Sequence, residues 1–182
     1  MYSPTVIHLF VLLLVCDAKS VGPRGAITLD TVKTCEDNPG GEVELELNLY
    51  SLDSKGAKAI SLTINSTIPL DDSLTYIMEV QRWDGGWKLE YTHTSLLCAD
   101  ITRFVPNIWK RLAEASEPKL PEKCGVEPGY YVVKEYTALA MDFAVPYVYY
   151  GEIMLKVSIF QGRKLILCFF VKGNSQIPQK PF

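Results

Sequence analysis

Histidine is the side chain most often used as a general base, and the chain contains two, His8 and His93. His8 lies in an apolar N-terminal run, so a Ser-His-Asp or Cys-His arrangement would have to use His93. His93 stands in the segment YTHTS, on a predicted strand among threonines. That setting favours an ordinary surface or strand-edge histidine. We predict that the protein is not an enzyme, and a reaction that uses His93 is the weaker alternative.

Other catalytic signatures are missing from the sequence. The glycine pairs Gly40-Gly41 and Gly85-Gly86 lack the lysine and the following helix of a phosphate-binding loop. Glu42, Glu44 and Glu46 alternate along one predicted strand, a pattern typical of a solvated face. No spacing indicates a two-carboxylate glycosidase site. The sequence predicts no catalytic residue, no cofactor and no metal site.

The N-terminal segment has the composition of a secretory signal. Thr5 to Cys16 is almost unbroken Val, Ile, Leu and Phe, which is too short to cross a bilayer. The small residues Ala18 and Ser20 offer a cleavage site before Val21. We therefore expect residues 1–20 to be a signal peptide and residues 21–182 to form one secreted domain.

The cysteines agree with export. Cys16 lies in the signal, and Cys35, Cys98, Cys124 and Cys168 remain. An even number of widely spaced cysteines indicates two disulfides formed in an oxidising compartment. Zinc is the alternative, but the close ligand pairs of a structural zinc site are absent. Spacing alone leaves all three pairings open.

The formal net charge of −3 argues against a general binder of nucleic acid, because such proteins carry a basic surface.

Period-two alternation dominates the rest of the chain and predicts half-buried strands. The alternating apolar residues are Val43, Leu45, Leu47 and Leu49; Ile60, Leu62 and Ile64; Leu74, Tyr76, Met78 and Val80; and Ile153, Leu155, Val157 and Ile159. The run Leu165 to Val171 is wholly apolar, which indicates a strand buried on both faces. In the sequon Asn65-Ser66-Thr67, Asn65 falls on the wet face and is a candidate glycosylation site.

One segment changes to helical spacing. Ile101, Phe104, Ile108 and Leu112 form an apolar stripe, and Pro106 either starts or kinks the helix. The predicted fold class is mainly β: a two-sheet antiparallel β-sandwich or β-cup of about seven to nine strands, with one short helix inserted. The tail, residues 175–182, contains two prolines and is expected to be loose.

Two loops are rich in aromatic residues. In one, Trp83 and Trp87 flank the turn Asp84-Gly85-Gly86; the other carries Phe143, Tyr147, Val148, Tyr149 and Tyr150. Such rings mark a ligand mouth, a membrane contact or an interface when they are exposed. The alternative is that they pack as ordinary core at the ends of the sandwich. Periodicity does not decide whether the space between the sheets is filled or hollow.

The order of these features resembles the ganglioside activator protein family of lipid-binding β-cups, and more distantly the wider group of lipid-recognition β-sandwiches. The resemblance extends from Cys35 to about Asn174. It rests on four segments: IPLDDSLTYIMEVQRWDGGWKLE (68–90), LCADITRF (97–104), CGVEPGYYVVKEYT (124–137) and GEIMLKVSIFQGRKLILCFFVKG (151–173). They are similar to the family's Val-Pro-Leu strand with its Gly/Trp turn, its Phe-Cys-Asp helix entry, its Cys-Pro-x-x-x-Gly-x-Tyr strand and its closing hairpin.

The resemblance implies that Cys35 pairs with Cys168 and Cys98 with Cys124. It also implies mobile apolar loops at Trp83–Trp87 and at Met141–Tyr150, the two aromatic segments identified above. The family's additional disulfides near the helix have no cysteines here, and the leader indicates secretion without a lysosomal address. Both departures favour a divergent, invertebrate chemosensory-type relative.

The expected function is therefore secreted, non-enzymatic binding and transfer of a lipid, a glycolipid or another apolar ligand, with transient membrane contact. A receptor or a glycosidase is a further expected partner, nucleic acid is not, and a lysosomal site is an alternative to the extracellular one. The rival interpretation is an extracellular protein-interaction β-sandwich with a filled core.

Overall fold

The computed structural model describes residues 21–23, 25–53, 57–137 and 147–178. Within these residues the chain forms eleven strands and two helices. The strands are β1 (Val21–Pro23), β2 (Ile27–Thr34), β3 (Val43–Ser51), β4 (Lys58–Ser66), β5 (Thr75–Trp83), β6 (Trp87–Leu96), β7 (Ser116–Glu117), β8 (Gly129–Tyr136), β9 (Tyr147–Tyr149), β10 (Gly151–Gln161) and β11 (Lys164–Ser175). The helices are α1 (Leu97–Phe104) and α2 (Pro106–Ala115). The predicted signal peptide, Phe143 and the end of the tail lie outside the described residues.

The strands form two main antiparallel sheets. The larger sheet has five strands in the order β2-β11-β10-β5-β6, and the smaller has four in the order β3-β4-β8-β7. A separate two-stranded sheet pairs β1 with β9. The predicted mainly β, two-sheet antiparallel class is confirmed.

Alternation along the strands places one apolar stripe of each sheet on the inner face. Leu45 is paired with Ile64 and Leu47 with Leu62 across β3 and β4, while Glu44 and Glu46 are exposed on the opposite face. In β11, Ile166, Leu167 and Cys168 are buried, but the other residues of the run Leu165 to Val171 are half-buried, so the predicted burial on both faces holds for only part of the strand. A bulge opposite Ile159 and Phe160 accompanies this change in alternation.

The inserted helical segment is split, where a single short helix was expected. The split falls at Val105, because Pro106 occupies the first position of α2 and cannot donate a backbone hydrogen bond within α1. The start of α1 is capped from a distance: Oδ1 of Asp72 accepts hydrogen bonds from the backbone N–H groups of Cys98 and Ala99, at 2.8 and 3.1 Å. Neither described helix is long and apolar enough to span a membrane.

Two disulfides secure the fold, with the pairing that the family resemblance implied. Cys35 is bonded to Cys168 over a sequence separation of 133, and Cys98 to Cys124 over a separation of 26. The first bridge joins the segment after β2 to β11. The second attaches α1 to the segment before β8. Together they connect the two ends of the domain and fix the helical insertion beside the sandwich.

The packed core lies at one end of the sandwich. Its buried members come from the start of β3, β5, β8 and β11, the end of β10, α2 and the connecting loops: Val43, Leu70, Leu74, Tyr76, Ala113, Leu120, Val126, Tyr131, Ile159, Ile166 and Leu167. We call this the closed end. The open end is the opposite one, where β3, β5, β8 and β11 finish and β4 and β10 begin.

Candidate functional site: the open end of the sandwich

On β3 and β10 the most buried inner side chains lie at the closed end. On β3, Val43 is 0% exposed, whereas Leu47 and Leu49 on the same face are only half-buried. On β10, Ile159 is buried and Leu155 is half-buried. A filled sandwich of this size would bury its inner stripes along their whole length. The main buried cluster therefore lies at the closed end, although Val32 and Tyr136 are also buried on the inner face at the open end.

Eight of the half-buried inner side chains at the open end are aliphatic. They are Leu47, Leu49, Ile60, Leu62, Val80, Ile153, Leu155 and Val171. Strand register places them side by side: Leu47 opposite Leu62, Leu49 opposite Ile60, and Leu155 opposite both Val80 and Val171. This arrangement gives two facing apolar surfaces that remain partly accessible.

A cavity opens between the two sheets at the edge where β2 and β3 meet. Its volume is about 350 Å³, at the lower end of the range for small-molecule sites. Val32, Leu47 and Leu49 provide apolar lining, and Asp30 and Lys58 are among its polar lining residues. The cavity therefore connects the inner apolar face with polar groups.

Two cations lie at the open end of otherwise apolar inner stripes. Lys58 precedes Ile60 and Leu62 on the inner face of β4, and Arg82 follows Val80 on that of β5. Nζ of Lys58 donates a 2.6 Å hydrogen bond to the carbonyl oxygen of Leu29 on β2 and lies 3.6 Å from Oδ1 of Asp30. Lys58 thus links the two sheets at the rim of the cavity.

The Arg82 guanidinium is more fully neutralised. Its Nε donates a 2.9 Å hydrogen bond to Oε1 of Glu90, and the two side chains are 23% and 24% exposed. Lys88 holds the pKa of the neighbouring Asp84 carboxyl below its ordinary value through a hydrogen bond and its charge, and Arg82 adds a smaller effect in the same direction. The hairpin thus carries balanced charges.

The first aromatic loop lies at the open end, as a tight hairpin with Trp83 directly opposite Trp87. Gly85 has a φ of 64°, which glycine adopts without strain. The two indoles meet edge to face at a centroid distance of 5.5 Å. Nζ of Lys172 lies 5.1 Å from the Trp87 ring centroid. Strand register puts these side chains on the outer face of the five-stranded sheet, so the indoles border the opening without lining the cavity.

The second aromatic segment reaches the same end of the molecule. Tyr147, Val148 and Tyr149 form β9, and Tyr147 is 64% exposed. Oη of Tyr149 donates a 3.5 Å hydrogen bond to the carbonyl oxygen of Glu90 on β6. Oη of Tyr150 donates to the carbonyl oxygen of Pro23 at 2.7 Å.

The structure thus brings Tyr149 against the hairpin strand that starts at Trp87. The two predicted aromatic segments therefore meet at the open end beside β6, at the opposite edge of the five-stranded sheet from the β2–β3 cavity. Phe143, the remaining predicted member, lies outside the described residues. The role of these residues in binding stays a prediction.

A polar cluster that the sequence did not reveal joins α1 to the five-stranded sheet. Nε2 of His93 donates a 2.5 Å hydrogen bond to Oδ2 of Asp100, and Oη of Tyr76 donates to the same oxygen at 2.7 Å. Burial raises the pKa of the Asp100 carboxyl, but hydrogen bonds from Tyr76, His93 and Ser95 outweigh burial and leave that pKa below its ordinary value. Burial and the nearby Asp100 raise the pKa of Tyr76.

His93 is therefore on the edge strand β6, as expected, but it is half-buried and paired. Its Nδ1 faces Oη of Tyr91 at 3.4 Å, and the Tyr91 and His93 rings are stacked. One feature of the sequence could have indicated this cluster. Asp100 is a carboxylate in the first turn of the predicted helix, close to residues that are buried.

Asn65, the predicted glycosylation site, is exposed on the outer face of β4. Its Nδ2 donates a 3.2 Å hydrogen bond to Oε2 of Glu44 on β3.

No protein-family model matches the chain, and no curated protein matches it. A solved structure of chicken MD-1 complexed with lipid IVa is similar to the chain at 10% identity, with 84% of this chain and 99% of that chain covered and a TM-score of 0.32. A likeness at that TM-score carries no argument about this protein. The resemblance to the ganglioside activator family stays a prediction based on the four sequence segments.

Proposed function

We propose that this protein is a secreted carrier that binds a lipid or another apolar ligand between its two sheets. The observation that carries the proposal is the contrast along the inner face: a buried cluster at the closed end, and half-buried aliphatic side chains at the open end, of which Leu47 and Leu49 line a cavity of about 350 Å³. Water against such a surface is unfavourable by about 25 cal/mol for each Å² of apolar area. An apolar chain in the cup would recover that free energy.

Transient membrane contact at the open end is part of this proposal. Trp83 is 48% exposed and Leu89 is 57% exposed on the outer face beside the opening. Lys172 lies 5.1 Å from the Trp87 ring centroid and 5.2 Å from that of Phe170. Indoles next to a lysine suit the boundary between apolar lipid and water. A ligand could then pass between bilayer and cup with little exposure to solvent.

The family resemblance implies two more specific roles, and both require an apolar ligand to bind between the two sheets. These roles are transfer of a glycolipid beside a glycosidase, and carriage of a chemosensory ligand to a receptor. The two disulfides are consistent with the oxidising compartment that either role requires.

The proposed function contains no catalytic step. Asp100 holds one nitrogen of His93, and the other faces Tyr91. Cys35, Cys98, Cys124 and Cys168 are all bonded in disulfides. These contacts support a structural role for the His93 cluster.

The decisive experiment is native mass spectrometry, with lipid extraction, of the protein purified from a eukaryotic secretion host. A co-purifying lipid, or a stoichiometric shift on adding glycolipids, fatty acids or long hydrocarbons, is the expected result. A second arm uses Leu47→Trp, which fills the cavity from β3, and Glu46→Trp, which adds the same ring to the exposed outer face of that strand. We expect only Leu47→Trp to abolish binding.

The rival function is a protein-interaction module that uses the exposed Trp83 and Leu89 side chains. The carrier proposal would be rejected in favour of this module if the wild type bound no ligand of the panel. The Leu47→Trp variant would then fold normally and show the same lack of ligand binding as the wild type.

A further inference from the structure

We infer that Lys58 forms a headgroup subsite, and that the preferred ligand is an amphiphile with an anionic headgroup. The inference rests on the proposed function and narrows its ligand class. Two cations line the cavity at the β2–β3 edge, the exposed Lys33 and the half-buried Lys58, and Lys58 shares the lining with Val32, Leu47 and Leu49. An apolar chain lying against those three residues would place its polar end near the ammonium group.

Position along β4 explains why the ammonium group lies there. Lys58 occupies the inner-face position that precedes Ile60 and Leu62, and its side chain is 33% exposed. A lysine at such a boundary lays its methylene groups along the apolar surface and keeps its charge at the water side. Lys58 therefore marks the level in the cup where an amphiphile changes from apolar chain to polar head.

The contacts of Lys58 leave capacity for a ligand. An ammonium group has three donors. One hydrogen bond goes to the carbonyl oxygen of Leu29, and the contact with Asp30 is a long 3.6 Å to a carboxylate that is 56% exposed. An ion pair with so exposed a partner is weak and exchanges readily with another anion.

Arg82 is the comparison within the same molecule. It ends the inner stripe of β5 as Lys58 ends that of β4, but its 2.9 Å contact with Glu90 is made between two side chains that are both about three-quarters buried. Breaking such a pair leaves a poorly solvated carboxylate. The anion therefore favours Lys58, where the competing carboxylate can return to water.

The chemistry shared by the expected ligands is an anionic oxygen group on a long apolar chain. Carboxylate and phosphate headgroups both have it. The test uses three probes with one chain length: dodecanoate, dodecyl phosphate and dodecanol. Isothermal titration calorimetry at neutral pH measures each affinity for the full mature chain. The two anionic probes separate a fatty-acid source from a phosphate source, and dodecanol reports the apolar cup alone.

For the wild type we expect at least one anion to bind more tightly than dodecanol. Lys58→Gln should reduce that preference roughly tenfold, because a charge-assisted hydrogen bond is lost, and should leave dodecanol binding within about twofold. Lys58→Arg should retain the preference. Asp30→Asn should increase anion affinity, since it removes the competing carboxylate. Lys134→Gln, which changes an exposed lysine on β8 of the same four-stranded sheet, away from the cavity lining, is the matched charge control.

The outcomes separate the two proposals. If the wild type binds none of the three probes and also stays empty in the native mass spectrometry panel, the carrier function itself is rejected; if it binds a lipid of that panel but none of the probes, only the headgroup subsite is rejected. If the wild type binds dodecanol as tightly as it binds the two anions, the headgroup subsite is rejected and the carrier function stands. The same conclusion follows if Lys58→Gln changes the preference for an anion over dodecanol no more than Lys134→Gln does.

Discussion

His93 on β6 donates a hydrogen bond from Nε2 to Oδ2 of Asp100 on α1, at a distance of 2.5 Å. Asp100 is 7% exposed, and Tyr76 from the neighbouring strand donates to the same carboxylate oxygen. The contact fixes the first turn of α1, which also carries Cys98 of the second disulfide. The polar cluster thus attaches the helical insertion to the sheet.

Asp100→Asn should destabilise the protein by about 1–3 kcal/mol at neutral pH, because an amide cannot accept both hydrogen bonds with a full charge. The free energy of unfolding, measured with urea, checks the value. Ligand binding should be unchanged, since the cluster is far along the inner face from the cavity residues. A stable variant would show that the cluster does not hold α1.

The difference in the free energy of unfolding between the wild type and Asp100→Asn should depend on pH, and the direction of that dependence can be stated. The pKa of Asp100 in the folded protein lies below its ordinary value of 3.8. The carboxylate therefore contributes its full stability above the ordinary value, and the contribution is lost as the pH falls through the folded pKa. The stability gap between wild type and Asp100→Asn should accordingly narrow at acid pH. Urea unfolding at about pH 3 and about pH 7 measures this stability gap. A gap that widens at acid pH would contradict the lowered pKa of Asp100.

The two disulfides should contribute unequally. The chain-entropy relation gives roughly 5 kcal/mol for a closed loop of 133 residues and roughly 3.5 kcal/mol for one of 26. Replacing Cys35 and Cys168 by Ser should therefore lower the urea midpoint more than replacing Cys98 and Cys124. An equal or reversed order would indicate that attachment of α1, through the second bridge, matters more than loop length.

The aromatic segments should matter for binding more than for folding. Trp87→Ala combined with Tyr149→Ala should weaken binding to ligand or to lipid vesicles by about 1–2 kcal/mol, a loss of roughly five- to thirtyfold. Vesicle co-sedimentation and thermal unfolding measure the two effects. Tyr130→Ala is the control, because Tyr130 is 60% exposed on the other sheet. Unchanged binding in a folded double variant would remove these residues from the site.

Asn65 should carry a glycan when the protein passes through a eukaryotic secretory pathway. It is exposed on the outer face of β4, in the sequon Asn65-Ser66-Thr67. Treatment with an N-glycosidase should lower the mass of the wild type and leave Asn65→Gln unaffected. The variant should fold normally, because its one described side-chain contact is to Glu44 at the surface. An unmodified wild type would contradict either secretion or access to the sequon.

Local patterns predicted much of the fold. Alternation of Glu44 and Glu46 with Leu45 and Leu47 assigned β3 and its two faces, because a period of two admits one arrangement against a core. The glycines between Trp83 and Trp87 predicted the hairpin, since a tight turn needs residues that tolerate positive φ.

The sequence by itself therefore determined the main strands but not β1, β2, β7 and β9, since about seven to nine were expected and eleven are present among the described residues. It also determined the outward position of Asn65 and an even set of cysteines suited to two bridges. Only the tertiary structure decided what depends on contacts between distant segments: the pairing of His93 with Asp100, the meeting of Tyr149 with the hairpin at Glu90, and the reach of Lys58 across to β2. It also decided that the main buried cluster lies at the closed end. Periodicity shows which side chains face inward, but the space between two sheets depends on how far apart they lie, and that separation is set by the whole fold.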